Sequence, residues 1–313
     1  MANFSVYTYE FIPLAAQGDL FNQDATNESF EEVKARKQQT FQKYMDMIAD
    51  GTLIPKMEDK EYRCKVLYNC GGLMVFKIEN IKDESFDWNF SKASHKIGPN
   101  CHVIIDNRKD MQHIAIERKT KAFSSPNVVK NILNATLKPL LKDERLLFDI
   151  KPQYQPKEFW DYIRMHREEG IREIRFYFPY PNLPAISDKY GDYMKQMGID
   201  YNCCPGFIMY APDDLDMKLE EDDPQMQFYT AAAGESGVPI AIKTKAKGAK
   251  THYVGKASSI VWGMDNKIIK RFDPKPDEAE SKQTKFEFAD QSERELLEGK
   301  LTDFVNKGRF LNQ

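Results

Sequence analysis

Apolar and polar residues alternate from Phe4 to Ile12, a period of two that predicts a β-strand over 4–12. A polar, turn-like stretch follows to residue 28. Ser29-Phe-Glu-Glu32 then sets a hydroxyl three residues before a carboxylate, the capping-box pattern of a helix start. Beyond it Phe30, Val33, Phe41, Tyr44, Met45 and Ile48 recur at near-helical spacing, and Gly51 supplies a stop. The outer face of this helix carries Lys34, Arg36, Lys37 and Lys43, which reads more simply as a solvated surface than as a nucleic-acid patch. Strands over 61–68 and 72–80 flank Asn69-Cys-Gly-Gly72, a hairpin-type turn. Residues 81–100 are polar, end in Gly98-Pro99 and then Asn100, and read as a loop.

Val103 through Lys119 reads as two strands joined by a polar turn. Ser125 and Pro126 open a helix with Val129, Ile132, Leu133 and Leu137 on its apolar face, and Pro139 is expected to end it. Leu146 to Ile150 is a short buried strand. The proline-bearing connector 151–157 suggests a boundary, giving domains 1–150 and 151–313. Helices over 157–168, 185–197 and 224–235 alternate with strands over 173–178, 206–211 and from Val238, which predicts βαβ units. Shorter strands near 251–255, 259–264 and 267–272, a loop over 273–290 and an amphipathic helix over 291–307 complete the chain. The fold class is α/β in the broad, mixed α+β sense: two mixed-sheet domains flanked by helices.

Composition narrows the function classes. The 313 residues are 41% hydrophobic and 12% aromatic, enough for a real core. A net charge of −3 argues against a coat of basic charge but leaves room for a local basic groove. No apolar run approaches the roughly 20 residues of a membrane span. The first residues lack the basic start of a signal peptide, so a cytoplasmic protein is expected. Five cysteines without a C-x-x-C pair and five scattered histidines suggest neither a disulfide framework nor a structural zinc.

The sharpest chemical candidate lies in the strand pair from Val103 to Lys119. Asp106 closes its first strand, and Glu117 and Lys119 stand two apart on the second, hence on one face if that strand continues. Two carboxylates can hold a divalent ion that activates water, and a lysine can steady the charge that develops on a phosphate. The surrounding order of helix, strands, helix and strand resembles the core of the PD-(D/E)xK nucleases. That resemblance implies Asp106 and Glu117 as ligands of Mg²⁺ or Mn²⁺, Lys119 as the catalytic lysine, and Glu31 or Glu32 as an additional acid. Ile105 stands where the family's proline is usual. With 30% charged residues, an acid followed by x-Lys also arises by chance, and a wet hairpin face is the plain alternative.

A second candidate is the run from Val238 to Lys250. Lys243, Lys245 and Lys247 alternate with apolar positions, and Lys250 and Lys256 extend the cluster. Lysines over a glycine-bearing turn suit phosphate contacts, while an edge strand defended against pairing is the competing reading. Residues 213–223 carry seven acids without EF-hand spacing and read as a solvated loop. Gly234-Glu-Ser-Gly237 follows a helix and reads as its C-terminal turn, and Cys203-Cys204 as packed residues. The segments Tyr180-Pro-Asn-Leu-Pro and Ala231 to Lys245 resemble uncharacterised bacterial proteins of phage-defence islands. That resemblance implies a bacterial cytosolic setting with a nucleic-acid or phage-protein partner. Two functions therefore stand side by side: metal-dependent phosphodiester cleavage in antiviral defence, or a non-catalytic DNA-, RNA- or protein-binding module of a defence complex. No membrane partner is expected, and a homo-oligomer is among the states the sequence allows.

Overall fold

The computed structural model describes residues 1–13, 30–88, 91–108, 111–144, 146–178, 203–256 and 259–265, with isolated positions 197, 295, 299 and 303. The described residues form a mixed α+β fold. No described helix is long and apolar enough to cross a membrane. The chain divides into two compact units rather than at a single point. The first takes Met1–Ser5, Ala35–Leu140 and the described residues from Val261; the second takes those from Val6 onward, with Leu141–Ile260. Strand β1 (Ala2–Pro13) explains the interleaving. Its first residues pair with β15 (Val261–Met264), and Tyr7 to Pro13 pair with β10 (Leu146–Pro152). The connector 151–157 thus lies inside the second unit.

In the first unit, β4 (Cys64–Cys70), β5 (Leu73–Glu79), β8 (Asn100–Asp106) and β9 (His113–Glu117) pair in that order, each antiparallel to the next. Gly71 and Gly72 both have positive φ (59° and 83°), the conformation that a tight two-residue hairpin of the favoured twist needs. Strand β8 is buried from Cys101 through Asp106, so both of its faces are covered. One face joins Phe4, Leu67, Tyr68, Leu73, Val75, Ile104, Met111, Ala115 and Met264 in a single cluster. Residues of opposite parity, Val103 and Ile105, are buried as well. So are Phe41, Tyr44 and Ile48 of α1 (Phe30–Ala49) and Val129, Leu133 and Leu137 of α2 (Pro126–Asp143). The Asn107 amide donates to Gln38 O (3.0 Å) and the Gln38 amide to Arg108 O (3.1 Å), tying α1 to the end of β8.

Three expectations need correction here. Lys37 is buried, not solvated, because positions 37, 41, 44 and 48 share one helical stripe. Lys43 does face solvent, its ammonium 5.4 Å above the Tyr44 ring. Helix α2 runs through Pro139 to Asp143. Buried Leu137 and Leu141 hold that last turn, and the Tyr44 hydroxyl donates to Leu140 O (3.2 Å). Residues 82–97 are a hairpin, β6 (Lys82–Trp88) with β7 (Ser91–Ile97), not a loop. Lys82 to Ser85 and Ser94 to Lys96 are exposed, and these polar stretches carry no apolar alternation to detect. A short pair, β2 (Lys56–Met57) with β3 (Lys60–Glu61), precedes β4.

The second unit contains a four-stranded sheet in the order β12 (Gly206–Tyr210), β11 (Ile171–Tyr177), β13 (Ile240–Thr244), β14 (His252–Val254). All three pairings are antiparallel, so the expected parallel βαβ units do not form. Helices α3 (Pro156–Met165) and α4 (Pro224–Ser236) share one core with the sheet, built on Phe159, Trp160, Ile163, Ile174, Phe176, Met226, Ala232, Ala233, Ile240 and Ile242. Asp223 caps α4 by accepting from the N–H groups of Gln225 (2.7 Å) and Met226 (3.2 Å). Gly237 ends it at φ 65°. Expectations for 185–197, 267–272, 273–290 and 291–307, apart from the isolated positions 197, 295, 299 and 303, and the capping Ser29, lie outside the described residues.

Candidate functional site

Register decides whether the three residues of the nuclease reading can meet. Val103 pairs with Ile116 and Asp106 with His113, so Glu117 falls opposite His102. Glu117 and Asp106 share a face but stand four positions apart along the hairpin, roughly 13 Å at the rise of a strand. Lys119 lies beyond the end of β9, is exposed, and its N–H bonds to Glu117 O (3.1 Å) in a turn. Strand alternation therefore does not govern it, and the structure does not bring the expected triad together. The side chains of Glu31 and Glu32 lie outside the described set.

Both acids are engaged elsewhere. Asp106 is fully buried, with Oδ1 2.9 Å from Arg108 Nε and Oδ2 2.6 Å from Nη2, and it also accepts the Arg108 N–H (3.2 Å). Glu117 Oε2 accepts from the His102 backbone N–H (3.0 Å) and lies 2.7 Å from His102 Nδ1. An ionised carboxylate only accepts, so Nδ1 carries the proton. Burial opposes ionisation of Glu117. The hydrogen bonds from His102, the charge of that ring and the nearby Lys119 ammonium outweigh it and hold the carboxyl below its ordinary value. Among the described residues, no group of three His, Cys, Asp or Glu side chains is arranged to hold a metal ion. The Cys64 and Cys101 thiols are pushed up to about 12 by burial, far from a reactive thiolate.

The lysine run resolves into separate roles. Strand β13 lies between β11 and β14, so the edge-strand explanation does not apply to it. Lys243 is half-buried and pairs in register with Glu173. Lys245 sits past the strand end, where its ammonium donates to Leu215 O (2.6 Å), Asp216 Oδ1 (3.0 Å) and Asp213 O (3.3 Å). It is a clamp on the acidic segment. Lys247 and Lys250 are exposed around Gly248 (φ 77°) in the turn to β14. Lys256 is exposed just past β14, its ammonium 5.3 Å above the Tyr253 ring. The acids of 213–223 are largely tied into local structure: Asp213 faces Arg172 (3.5 Å), Asp216 holds Lys245, Glu221 pairs with Arg164, and Asp223 caps α4.

Sequence reasoning missed the outer face of this sheet. Residues paired in register share a face, so Tyr210, Glu173 and Lys243 form one row. Ile208, Arg175, Ala241 and Tyr253 form the next, and Tyr177 lies beside Gly206. Residues of the other parity, including Ile174, Phe176, Ile240 and Ile242, fill the core beneath α3 and α4. The outer face leaves Ile208 59%, Tyr210 53%, Tyr253 47% and Tyr177 37% exposed. The signal was present in β12, Gly-Phe-Ile-Met-Tyr, which is apolar at every position after the glycine although helices cover a single face. Continuous apolarity reads as a strand buried on both sides, and here it is not.

The chain matches no family model, no curated protein and no solved structure.

Proposed function

We propose that this chain binds nucleic acid without cutting it, and that the β13–β14 hairpin of the second unit is the phosphate-contacting element. The observation that carries this reading is the division of charge there. Lys247, Lys250 and Lys256 are exposed, while Asp213, Asp216 and Glu221 of the acidic segment are engaged by Arg172, Lys245 and Arg164. Exposed ammonium groups on a short hairpin can follow a phosphate backbone, which positions a nucleic acid without reading its sequence. In a chain of net charge −3, attraction to a polyanion comes from local basic patches such as this one. Phosphodiester cleavage at Asp106, Glu117 and Lys119 is the weaker proposal, because the two acids stand apart and each has its own partner. The antiphage setting suggested by the resemblance belongs to the same proposal.

The test is fluorescence anisotropy with labelled 20-mer DNA and RNA, single- and double-stranded, across a salt series. Binding should weaken steeply with salt, and each of Lys247→Glu, Lys250→Glu and Lys256→Glu should reduce the log–log salt slope by about one. Salt-insensitive binding, or binding indifferent to all three substitutions, would overturn the assignment.

A further inference from the structure

The outer face of the β12-β11-β13-β14 sheet has the composition of a stacking surface. Tyr210 and Tyr253 stand on the two outer strands, roughly 14 Å apart across the sheet and one row apart along it, and Tyr177 on β11 stands one row beyond that of Tyr253. Glycine at 206 allows the close approach to β11, since a Cβ there would lie 2.3 Å from Phe176 O and 3.1 Å from Tyr177 Cδ1. Cations are interleaved with these rings. The Arg172 guanidinium lies 5.7 Å from the Tyr210 ring centre and donates to its hydroxyl (3.3 Å), and Lys256 lies over Tyr253. Lys243 shares the row of Tyr210 and Arg175 that of Tyr253, and among the described residues the acids paired with these cations in register or by ion pair are Glu173 and Asp213.

Building on the nucleic-acid reading above, we infer that this face takes single-stranded nucleic acid, with two or three unpaired bases stacked on Tyr177, Tyr210 and Tyr253. Every base has a π-face, so a flat aromatic surface accepts bases without sequence preference. In a duplex those faces are buried between neighbouring pairs, so the same surface discriminates against double strands. The surrounding cations complement the phosphates of a strand laid across the sheet, an arrangement that open four-stranded sheets with surface aromatics use for RNA. An uncharged apolar partner would gain nothing from that ring of cations. The Lys247 and Lys250 turn then continues the phosphate path beyond the sheet.

The discriminating experiment measures binding of the full chain to labelled dT12, to an abasic deoxyribose-phosphate chain of equal length, and to a 12-base-pair duplex. The expected result is dT12 bound at least about tenfold more tightly than either of the others. Tyr210→Ala with Tyr253→Ala should remove that preference, and Tyr→Phe at both positions should retain it, with circular dichroism confirming the fold. Equal binding to dT12 and the abasic chain, or no effect of the alanines, overturns stacking and leaves phosphate contact by the hairpin standing. Absence of binding to every probe overturns both readings.

Discussion

Asp106 sits wholly out of water at the end of a strand, and both of its oxygens face the Arg108 guanidinium, whose planar fork matches them. Removing one partner of a buried ion pair strands the other charge, at a cost of about 3–5 kcal/mol. Arg108 is partly exposed, which places the expectation at the lower end. Arg108→Met should lower the unfolding free energy by about 3 kcal/mol in urea titration; a change below about 1 kcal/mol would mean that Asp106 is not held by this pair. Glu117 makes a different prediction. Its folded carboxyl ionises below the ordinary value of 4.5, so acidification adds protons to the unfolded chain first. Its contribution is complete above the unfolded value and is lost as pH falls through the lower folded one. The wild type should therefore lose more stability than His102→Phe between about pH 5 and about pH 3. Equal acid slopes for the two proteins would refute this. Asp106 was conspicuous in the sequence as an acid closing an apolar run. Its partner was hidden, because the Arg108 contact depends on the turn after β8 rather than on any strand or helix period.

Elements with a clear period were legible, and those without one were not. Helix α1 announces itself by one buried stripe, and the core strands β5 and β8 by short runs of apolar residues buried on both faces. Residues 82–85 and 94–96 of the β6–β7 hairpin are polar and exposed, and its backbone ladder is invisible to a reading based on side-chain polarity. Helix α4 was expected in the sequence with a turn ending at Gly237, and the structure adds the cap, with Asp223 and Pro224 starting it and Gly237 stopping it. Those end residues carry testable energies. Asp223→Ala removes the acceptor for two backbone N–H groups and should cost about 1 kcal/mol. Gly237→Ala should cost more, at least about 2 kcal/mol. A Cβ there requires a left-handed residue with a side chain, and it would lie 2.7 Å from Pro152 O and 2.8 Å from Lys151 Cβ. Thermal and urea unfolding of the two variants measure the order directly; a Gly237→Ala protein as stable as Asp223→Ala would contradict it.

Across the molecule, what matters for a polyanionic ligand is where charge is left over after local pairing. The lysine-rich segment and the acidic segment were both plain in the sequence, yet their connection was not. Lys245 ties one to the other through two carbonyls and Asp216, a contact between residues about thirty positions apart. With that clamp in place, Asp214, Glu220 and Asp222 remain as exposed acids outside these pairs, and Asp214 and Asp222 can be replaced by the isosteric asparagine. Their charge opposes an approaching phosphate backbone without contributing a cap or a clamp. Replacing both with asparagine takes the chain from −3 to −1 (−3 + 2) and should leave the unfolding midpoint unchanged. Affinity for dT12 should rise about two- to fivefold at 0.05 M salt, where charges act over more than about 10 Å, and the gain should vanish near 1 M, where that range shrinks to about 3 Å. Anisotropy at the two salt concentrations decides the matter. A gain that persists at high salt would point to a direct contact instead of a long-range field, and no gain at low salt would show that the bound nucleic acid lies away from this segment.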